Sequence, residues 1–160
     1  MSVHKRRVLF VCLGNICRSP AAEGVLQKLV DQQGLGDQIQ VDSAGTSSYH
    51  IGEPADRRMR AAAASRGFDL TSRARMVHPR DFAEFDLVIA MDQANFKELR
   101  TYPEASAGRV QLLSDFLEPE WPREVPDPYL GEETAFYTVL DMLEAACPKI
   151  LQTLVEPAGK

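Results

Sequence analysis

Residues 8–20 read VLFVCLGNICRSP: four apolar residues lead into Cys12, and a short segment separates that cysteine from Arg18. The apolar run is typical of a buried strand in a parallel sheet. Ser19 and Pro20 favour the start of a helix, with Ser19 as its cap and Pro20 in its first position. The stretch therefore predicts a strand, a loop and a helix, the unit from which α/β folds are built.

The loop between this strand and helix is suited to hold a tetrahedral anion, and we call residues 12–18 the phosphate loop. Its backbone N–H groups can surround one anion at the positive end of the following helix. Gly14 lets the backbone approach without a Cβ clash, and Arg18 supplies a planar, permanently charged fork. Helix N-termini and nearby cations favour the thiolate form of a cysteine, so Cys12 is predicted to be a nucleophile.

The rest of the chain alternates strand-like and helical patterns. Strands are predicted over 8–12, 39–44, 87–91 and 109–113. Helices are predicted over 20–33, over 56–66 with Asp56 as the cap, from the residue after Asp92 onward, and over 133–155. Pro148 is expected to kink or divide the last helix. The alternation predicts an α/β fold with helices on both faces of a parallel sheet. Without repeats or an internal linker, residues 1–160 are expected to form one domain.

Composition narrows the class of protein. The 160 residues carry a net charge of −5, which argues against nucleic acid as a partner. No apolar stretch reaches membrane-spanning length, and three cysteines are too few for a secreted disulfide framework, so a cytoplasmic location without membrane contact is expected. His4, His50 and His78 lack the spacing of metal ligands and are predicted to be surface or loop residues, so neither metal nor cofactor is expected.

The chain resembles the low-molecular-weight protein tyrosine phosphatases. Residues 11–20 resemble their signature loop, and Asp127-Pro128-Tyr129 resembles their acid-bearing loop. Residues 41–46 and 81–92 are similar to family segments in the same order, so the resemblance covers nearly the whole chain. It implies a flavodoxin-like, four-stranded parallel sheet of order 2-1-3-4. It also implies hydrolysis of phosphotyrosine through a phosphocysteine intermediate, with phosphotyrosine-bearing proteins and inorganic phosphate as partners.

The resemblance also implies roles for individual residues. Cys12 is the expected nucleophile, Arg18 the ligand of two phosphoryl oxygens, and Asp127 the general acid that later acts as base. A phenolate, whose conjugate acid has a pKa of about 10, leaves slowly without a proton donor. Asn15 is expected to take a left-handed backbone conformation and to brace the loop through Ser43. Ser19 is also expected to donate a hydrogen bond to the Cys12 sulfur when that sulfur becomes the leaving group. The expected phosphate- or substrate-contacting residues are Leu13, Gly14, Asn15, Ile16, Cys17, Ser19, Tyr49 and Tyr129.

Two residues of this chain depart from the family pattern, and the cysteines other than Cys12 need separate interpretations. Many members carry a histidine where this chain has Ser72, so a brace to Glu23 is expected to differ or be absent. Leu130 replaces a tyrosine often found beside the acid. Cys17 either packs simply or forms a reversible disulfide with Cys12 that protects the nucleophile. Cys147 lies on an apolar helical stripe and is predicted to be in the core.

Other activities fit the sequence less well. Arsenate reduction on this scaffold needs resolving cysteines, and none lies between Cys17 and Cys147. Phosphoarginine phosphatases resemble this loop but tend to carry threonine where this chain has Ile16, whose apolar side chain favours an aryl substrate. A phosphotyrosine-binding pseudophosphatase would lack the nucleophile or the acid. A deep slot between Tyr49 and Tyr129 would admit phosphotyrosine and exclude the shorter phosphoserine and phosphothreonine.

Overall fold

The centre of the molecule is a four-stranded parallel sheet. The computed structural model describes residues 5–107 and 109–156. Its strands are β1 (Arg6–Cys12), β2 (Ile39–Gly45), β3 (Leu87–Ala90) and β4 (Val110–Leu112), in the order β2-β1-β3-β4. The predicted flavodoxin-like order 2-1-3-4 is confirmed, and every adjacent pair is parallel.

Within the described residues, five α-helices connect and cover the strands. They are α1 (Arg18–Gln32), α2 (Arg57–Ser65), α3 (Asp81–Glu84), α4 (Gln93–Arg100) and α5 (Glu133–Val155), with 3-10 turns at Pro103–Ala107 and Leu113–Phe116. Asp56 and Asp92 cap α2 and α4 by accepting hydrogen bonds from backbone N–H groups of the first turn. Sequence periodicity did not predict α3, because four residues are too few to show a helical repeat.

The two faces of the sheet bury separate apolar clusters. Val8 and Phe10 of β1 pack on the face covered by α1, α2 and α5, whereas Leu9 and Val11 pack on the face covered by α3 and α4. All four are fully buried, which explains the unbroken apolar run. Cys147 is fully buried in the first cluster, as predicted.

The predicted Ser19 cap and the predicted division of the last helix were wrong, whereas a kink at Pro148 stays a prediction. The helix α1 begins at Arg18, so Pro20 lies in its third position, and Ser19 lies inside the helix and forms no cap. Proline is tolerated there because the first four N–H groups of a helix lack an intrahelical acceptor. The helix α5 continues through Pro148 without division. Buried residues on both sides of that proline, including Leu143 and Ile150, hold the two halves in one helix.

The order of the strands determines where the phosphate loop lies. Because β1 pairs with both β2 and β3, the loop leaves the carboxyl edge of the sheet between two neighbouring strands. This is the position at which open α/β sheets bind ligands. None of the helices within residues 5–107 and 109–156 is both long and apolar enough to cross a membrane.

Candidate active site

The phosphate loop forms the floor of a small slot of about 170 Å³. A larger cleft of about 610 Å³ lies beside β4, but the described residues that line it include no cysteine, histidine or carboxylate. The chemistry of the side chains therefore points to the smaller slot. Its lining residues are Cys12, Leu13, Gly14, Ile16, Cys17, Arg18, Tyr49, His50, Asp127 and Tyr129.

Cys12 ends β1 and is held by two short contacts. Its Sγ lies 3.0 Å from Ser19 Oγ and accepts a hydrogen bond from the backbone N–H of Asn15 at 3.3 Å. The described residues supply no acceptor for the backbone N–H groups of Leu13, Gly14, Ile16 and Cys17. The loop thus keeps backbone donors around the sulfur that an oxyanion can use.

Asn15 fixes the direction of the hydrogen bonds behind the sulfur. Its Oδ1 accepts from the backbone N–H of Arg75 at 3.0 Å, which leaves its Nδ2 to donate to Ser19 Oγ at 2.8 Å and to Ser43 Oγ at 3.0 Å. Because Ser19 already accepts from Asn15, its own hydrogen points to an acceptor, and Cys12 Sγ at 3.0 Å is closer than the carbonyl O of Ala44 at 3.4 Å. Because a thiolate sulfur can only accept, Ser19 is the donor in this contact when Cys12 is ionised. As predicted, Asn15 has a left-handed backbone, with φ of 57°.

One of the serines in this network also holds the Glu23 carboxylate. Ser43 Oγ donates to Glu23 Oε1 at 2.5 Å. Burial raises the pKa of Glu23 above its usual range, although the hydrogen bond from Ser43 acts in the opposite direction. Ser43 therefore holds Glu23, and the expectation for a brace from Ser72 stays a prediction.

Arg18 is the most buried charged residue of the slot, with 3% of its side chain exposed. Its Nη1 donates to Asp92 Oδ2 at 2.6 Å and to the carbonyl O of Val125 at 3.1 Å, and its Nη2 lies 3.7 Å from Asp127 Oδ2. Burial alone would lower the pKa of Arg18, but Cys12 and the Asp92 carboxylate outweigh burial and raise it. From the sequence, Asp92 was identified only as the residue before a helix, and its contact with Arg18 was not predicted.

The acid loop, residues 126–131, covers the slot from the opposite side. The Asp127 side chain is 46% exposed, and its Oδ1 accepts from the backbone N–H of Tyr129 at 3.1 Å. This short-range turn aims the other carboxylate oxygen toward Arg18. The structure thus brings Cys12, Arg18 and Asp127 to one cavity, although more than a hundred residues separate the first from the last.

His50 is a wall residue that sequence reasoning assigned to an ordinary loop. Its ring centroid lies 6.0 Å from that of Tyr129, and its Nδ1 lies 3.1 Å from Glu53 Oε2. A Cβ added at Gly14 would lie 3.0 Å from His50 Cδ2. The glycine therefore makes room for an aromatic wall as well as for the loop. His78 lies in a loop, and His4 lies outside the described residues.

Other predicted contact residues divide into two groups. Leu13, Ile16, Cys17, Tyr49 and Tyr129 line the slot, with Tyr49 78% exposed at its mouth. Asn15 and Ser19, which were expected to contact phosphate, lie behind the loop and support it together with Ser43. Cys12 and Cys17 are both free thiols. Burial, followed by the nearby Asp56 carboxylate, raises the pKa of the Cys17 thiol, and the disulfide remains a prediction.

A buried cysteine lies in a loop with backbone amides and an arginine, at the carboxyl edge of the parallel sheet. This arrangement is that of a cysteine-dependent phosphatase. The family model of the low molecular weight phosphotyrosine protein phosphatases matches residues 7–158. A relative from Synechocystis sp. that carries the same family name is 49% identical over 150 residues, which cover 92% of this chain and 96% of the relative. The chain belongs to this family, whose members are hydrolases and characteristically form a phosphocysteine intermediate.

Solved structures agree with this assignment. A protein tyrosine phosphatase from Entamoeba histolytica, crystallised with Hepes in the active site, has a TM-score of 0.89 and 45% identity, with 94% of this chain and 97% of that chain covered. A Drosophila arginine phosphatase has a TM-score of 0.86 and 32% identity, with 93% and 98% covered. Because structures with both names share the fold, the choice of substrate depends on the side chains of the slot.

Proposed function

We propose that this protein hydrolyses phosphotyrosine on protein substrates. The observation that carries the proposal is the convergence of Cys12, Arg18 and Asp127 on one narrow slot whose mouth is aromatic. Tyr49, Tyr129 and His50 offer ring contacts to a phenyl group, and the apolar Ile16 lies below them. The apolar Ile16, where phosphoarginine phosphatases tend to carry threonine, favours an aryl phosphate over phosphoarginine.

The first chemical step transfers the phosphoryl group to sulfur. The Cys12 thiolate attacks phosphorus while the bond between phosphorus and the tyrosine oxygen breaks. That oxygen takes the breaking electron pair together with the proton of Asp127, so tyrosine leaves as a neutral phenol. Arg18 and the loop amides bind the equatorial oxygens, whose charge they stabilise in the transition state.

The second step regenerates the enzyme. Asp127, now a carboxylate, removes a proton from water as the water oxygen attacks phosphorus, and the bond between sulfur and phosphorus breaks. Inorganic phosphate leaves, and Cys12 returns to its thiolate. The Ser19 hydroxyl, directed at the sulfur by Asn15, stabilises the negative charge that returns to it.

We further propose that residues 1–160 act as one phosphatase domain, since both apolar clusters are built on the same sheet. The cytoplasm is the proposed location, because a catalytic thiol requires a reducing compartment. Phosphotyrosine-bearing proteins are the proposed partners, with neither nucleic acid nor membrane involved.

The test compares kcat/KM on phosphotyrosine and phosphoarginine peptides and on p-nitrophenyl phosphate. Cys12→Ser is expected to abolish turnover of all three. Asp127→Ala is expected to reduce kcat/KM on phosphotyrosine by about 10² to 10⁴, and by less on p-nitrophenyl phosphate, whose better leaving group depends less on a proton. Preference for phosphoarginine would contradict the proposed substrate. Equal losses on the two esters would contradict Asp127 as the acid.

A further inference from the structure

Arg58, in the first turn of α2, makes several contacts around the acid loop. Its Nη2 donates to the carbonyl O of Tyr129 at 2.9 Å, and its guanidinium carbon lies 5.5 Å from the centre of the Tyr129 ring. The same group lies 4.8 Å from the centre of the Phe136 ring on α5. Arg58 therefore contacts the acid loop and the helix that follows it.

The guanidinium is itself held in place by Asp56. Arg58 Nε and Nη2 donate to the two oxygens of Asp56 at 3.1 and 3.0 Å, a bidentate pair. Burial alone would raise the pKa of Asp56, but the hydrogen bonds from the side chain and backbone of Arg58 outweigh it and lower the pKa. Asp56 therefore stays ionised and keeps the guanidinium plane fixed.

Asp56 also connects this pair to the phosphate loop. Its backbone N–H donates to the carbonyl O of Ile16 at 2.7 Å. A continuous set of contacts thus runs from the phosphate loop through Asp56 and Arg58 to Tyr129, two residues beyond Asp127. Within the described part of the chain, the bond from Arg58 is the only hydrogen bond that Asp127, Pro128 and Tyr129 receive from another element.

We propose that Arg58 is a positioning residue that fixes the acid loop relative to the phosphate loop, so that Asp127 reaches the oxygen of the leaving group. This inference rests on the proposed function, because it gives Asp127 the role of acid. Arg58 acts through Tyr129 and does not touch the reacting atoms. Misplacing a catalytic group by about 1 Å can lower the rate by about 10². The loss of the hydrogen bond from Arg58 is therefore expected to lower the rate measurably.

The readout is the ratio of kcat/KM on phosphotyrosine to that on p-nitrophenyl phosphate, because only the first ester depends strongly on the acid. Arg58→Ala is expected to lower this ratio about tenfold. Arg58→Lys should recover part of the loss, since lysine can still reach one carbonyl but lacks the planar fork. Arg57→Ala is the matched control: it removes the same charge from the neighbouring exposed position, and the ratio should not change.

A double variant separates positioning from a general structural effect. In an Asp127→Ala background, Arg58→Ala should leave the ratio unchanged, because the group through which it acts is already missing. An unchanged ratio for Arg58→Ala, or an equal fall for Arg57→Ala, would overturn the inference while leaving the proposed function intact. An Asp127→Ala enzyme with an unchanged ratio would overturn both.

Discussion

The two halves of the active site differ in how firmly the protein holds them. Cys12, Asn15, Arg18 and Ser19 are almost completely buried, and their hydrogen bonds reach β2, α4 and the segment around Arg75. On the opposite side, Asp127 is half exposed and Leu130 is 94% exposed, and the acid loop depends mainly on Arg58. The nucleophile is fixed by the fold, whereas the acid is attached by a few surface contacts.

This difference matches the two chemical tasks. A nucleophile and its oxyanion donors gain from fixed geometry, because any reorganisation adds to the barrier. An acid that becomes a base in the next step must exchange a proton with water and let the product leave. We therefore expect substitutions in the phosphate loop to affect both stability and chemistry, and those in the acid loop to affect chemistry alone.

Apart from the Cys12 and Asp127 variants above, the largest effect is expected for Arg18→Lys. Lysine keeps the positive charge but cannot bind two phosphoryl oxygens in one plane or reach Asp92 and the Val125 carbonyl with the same geometry. We expect kcat to fall about 10³-fold. Steady-state kinetics on p-nitrophenyl phosphate measure this loss. A loss below about tenfold would show that charge alone is sufficient.

Matched truncations of two apolar residues test the comparison directly. Ile16→Ala in the buried phosphate loop is expected to lower the free energy of unfolding by about 2 to 4 kcal/mol. Leu130→Ala in the acid loop should change it by less than about 0.5 kcal/mol, since that side chain is already in solvent. Urea denaturation measures both. Similar values for the two would mean that the loops are held equally firmly.

Gly45→Ala should disturb the phosphate loop from the neighbouring strand. An added Cβ would lie 2.8 Å from the carbonyl O of Leu13 and 3.2 Å from the backbone N of Asn15. Relieving that overlap should destabilise the protein by about 1 to 3 kcal/mol and lower kcat. Gly36→Ala, where a Cβ meets nothing within 4 Å, is the control and should have little effect on thermal stability.

The smallest effect concerns Glu23, the buried carboxylate behind the loop. Because the pKa of Glu23 is raised in the folded state, the folded protein binds more protons than the unfolded chain above about pH 4.5. Its contribution to stability is therefore largest at low pH and falls as pH rises through the folded pKa, by at most about 1.4 kcal/mol per pH unit. Glu23→Gln removes this dependence.

The measurement is the difference in unfolding free energy between wild type and Glu23→Gln from pH 4 upward. The wild type should lose stability relative to the variant as pH rises. A difference that stays constant, or one that changes in favour of the wild type, would contradict the raised pKa. Other carboxylates, such as Asp56, shift in the opposite direction and cancel in this comparison.

Local patterns explain why so much of the fold could be predicted. The apolar strand before Cys12 and the helix starts at Asp56 and after Asp92 follow from a few adjacent residues, whereas the left-handed Asn15 was implied by the family resemblance. Ser19 was expected both to cap the helix and to donate to the Cys12 sulfur, and in the folded protein it forms no cap while its hydroxyl contacts Cys12. The cap fails because the helix already begins at Arg18, one residue before Ser19.

The contacts that could not be predicted join residues that are far apart in the sequence. The pair between Arg18 and Asp92 spans 74 positions, and the bond from Arg58 to Tyr129 spans 71. Neither spacing carries a helical or strand periodicity, so neither could be found without the fold. The place of His50 in the slot was not predicted for the same reason. It depends on the position of Tyr129, which the acid loop carries.

The most direct test of the central claim is to trap the phosphorylated enzyme. Asp127→Ala incubated with p-nitrophenyl phosphate should accumulate one phosphoryl group on the tryptic peptide 8–18, because hydrolysis of the intermediate is slowed. That peptide contains both Cys12 and Cys17, so fragment masses must assign the site. We predict the group on Cys12 and none in the Cys12→Ser, Asp127→Ala double variant. Phosphate found on another residue, or hydrolysis that persists in Cys12→Ser, would contradict it.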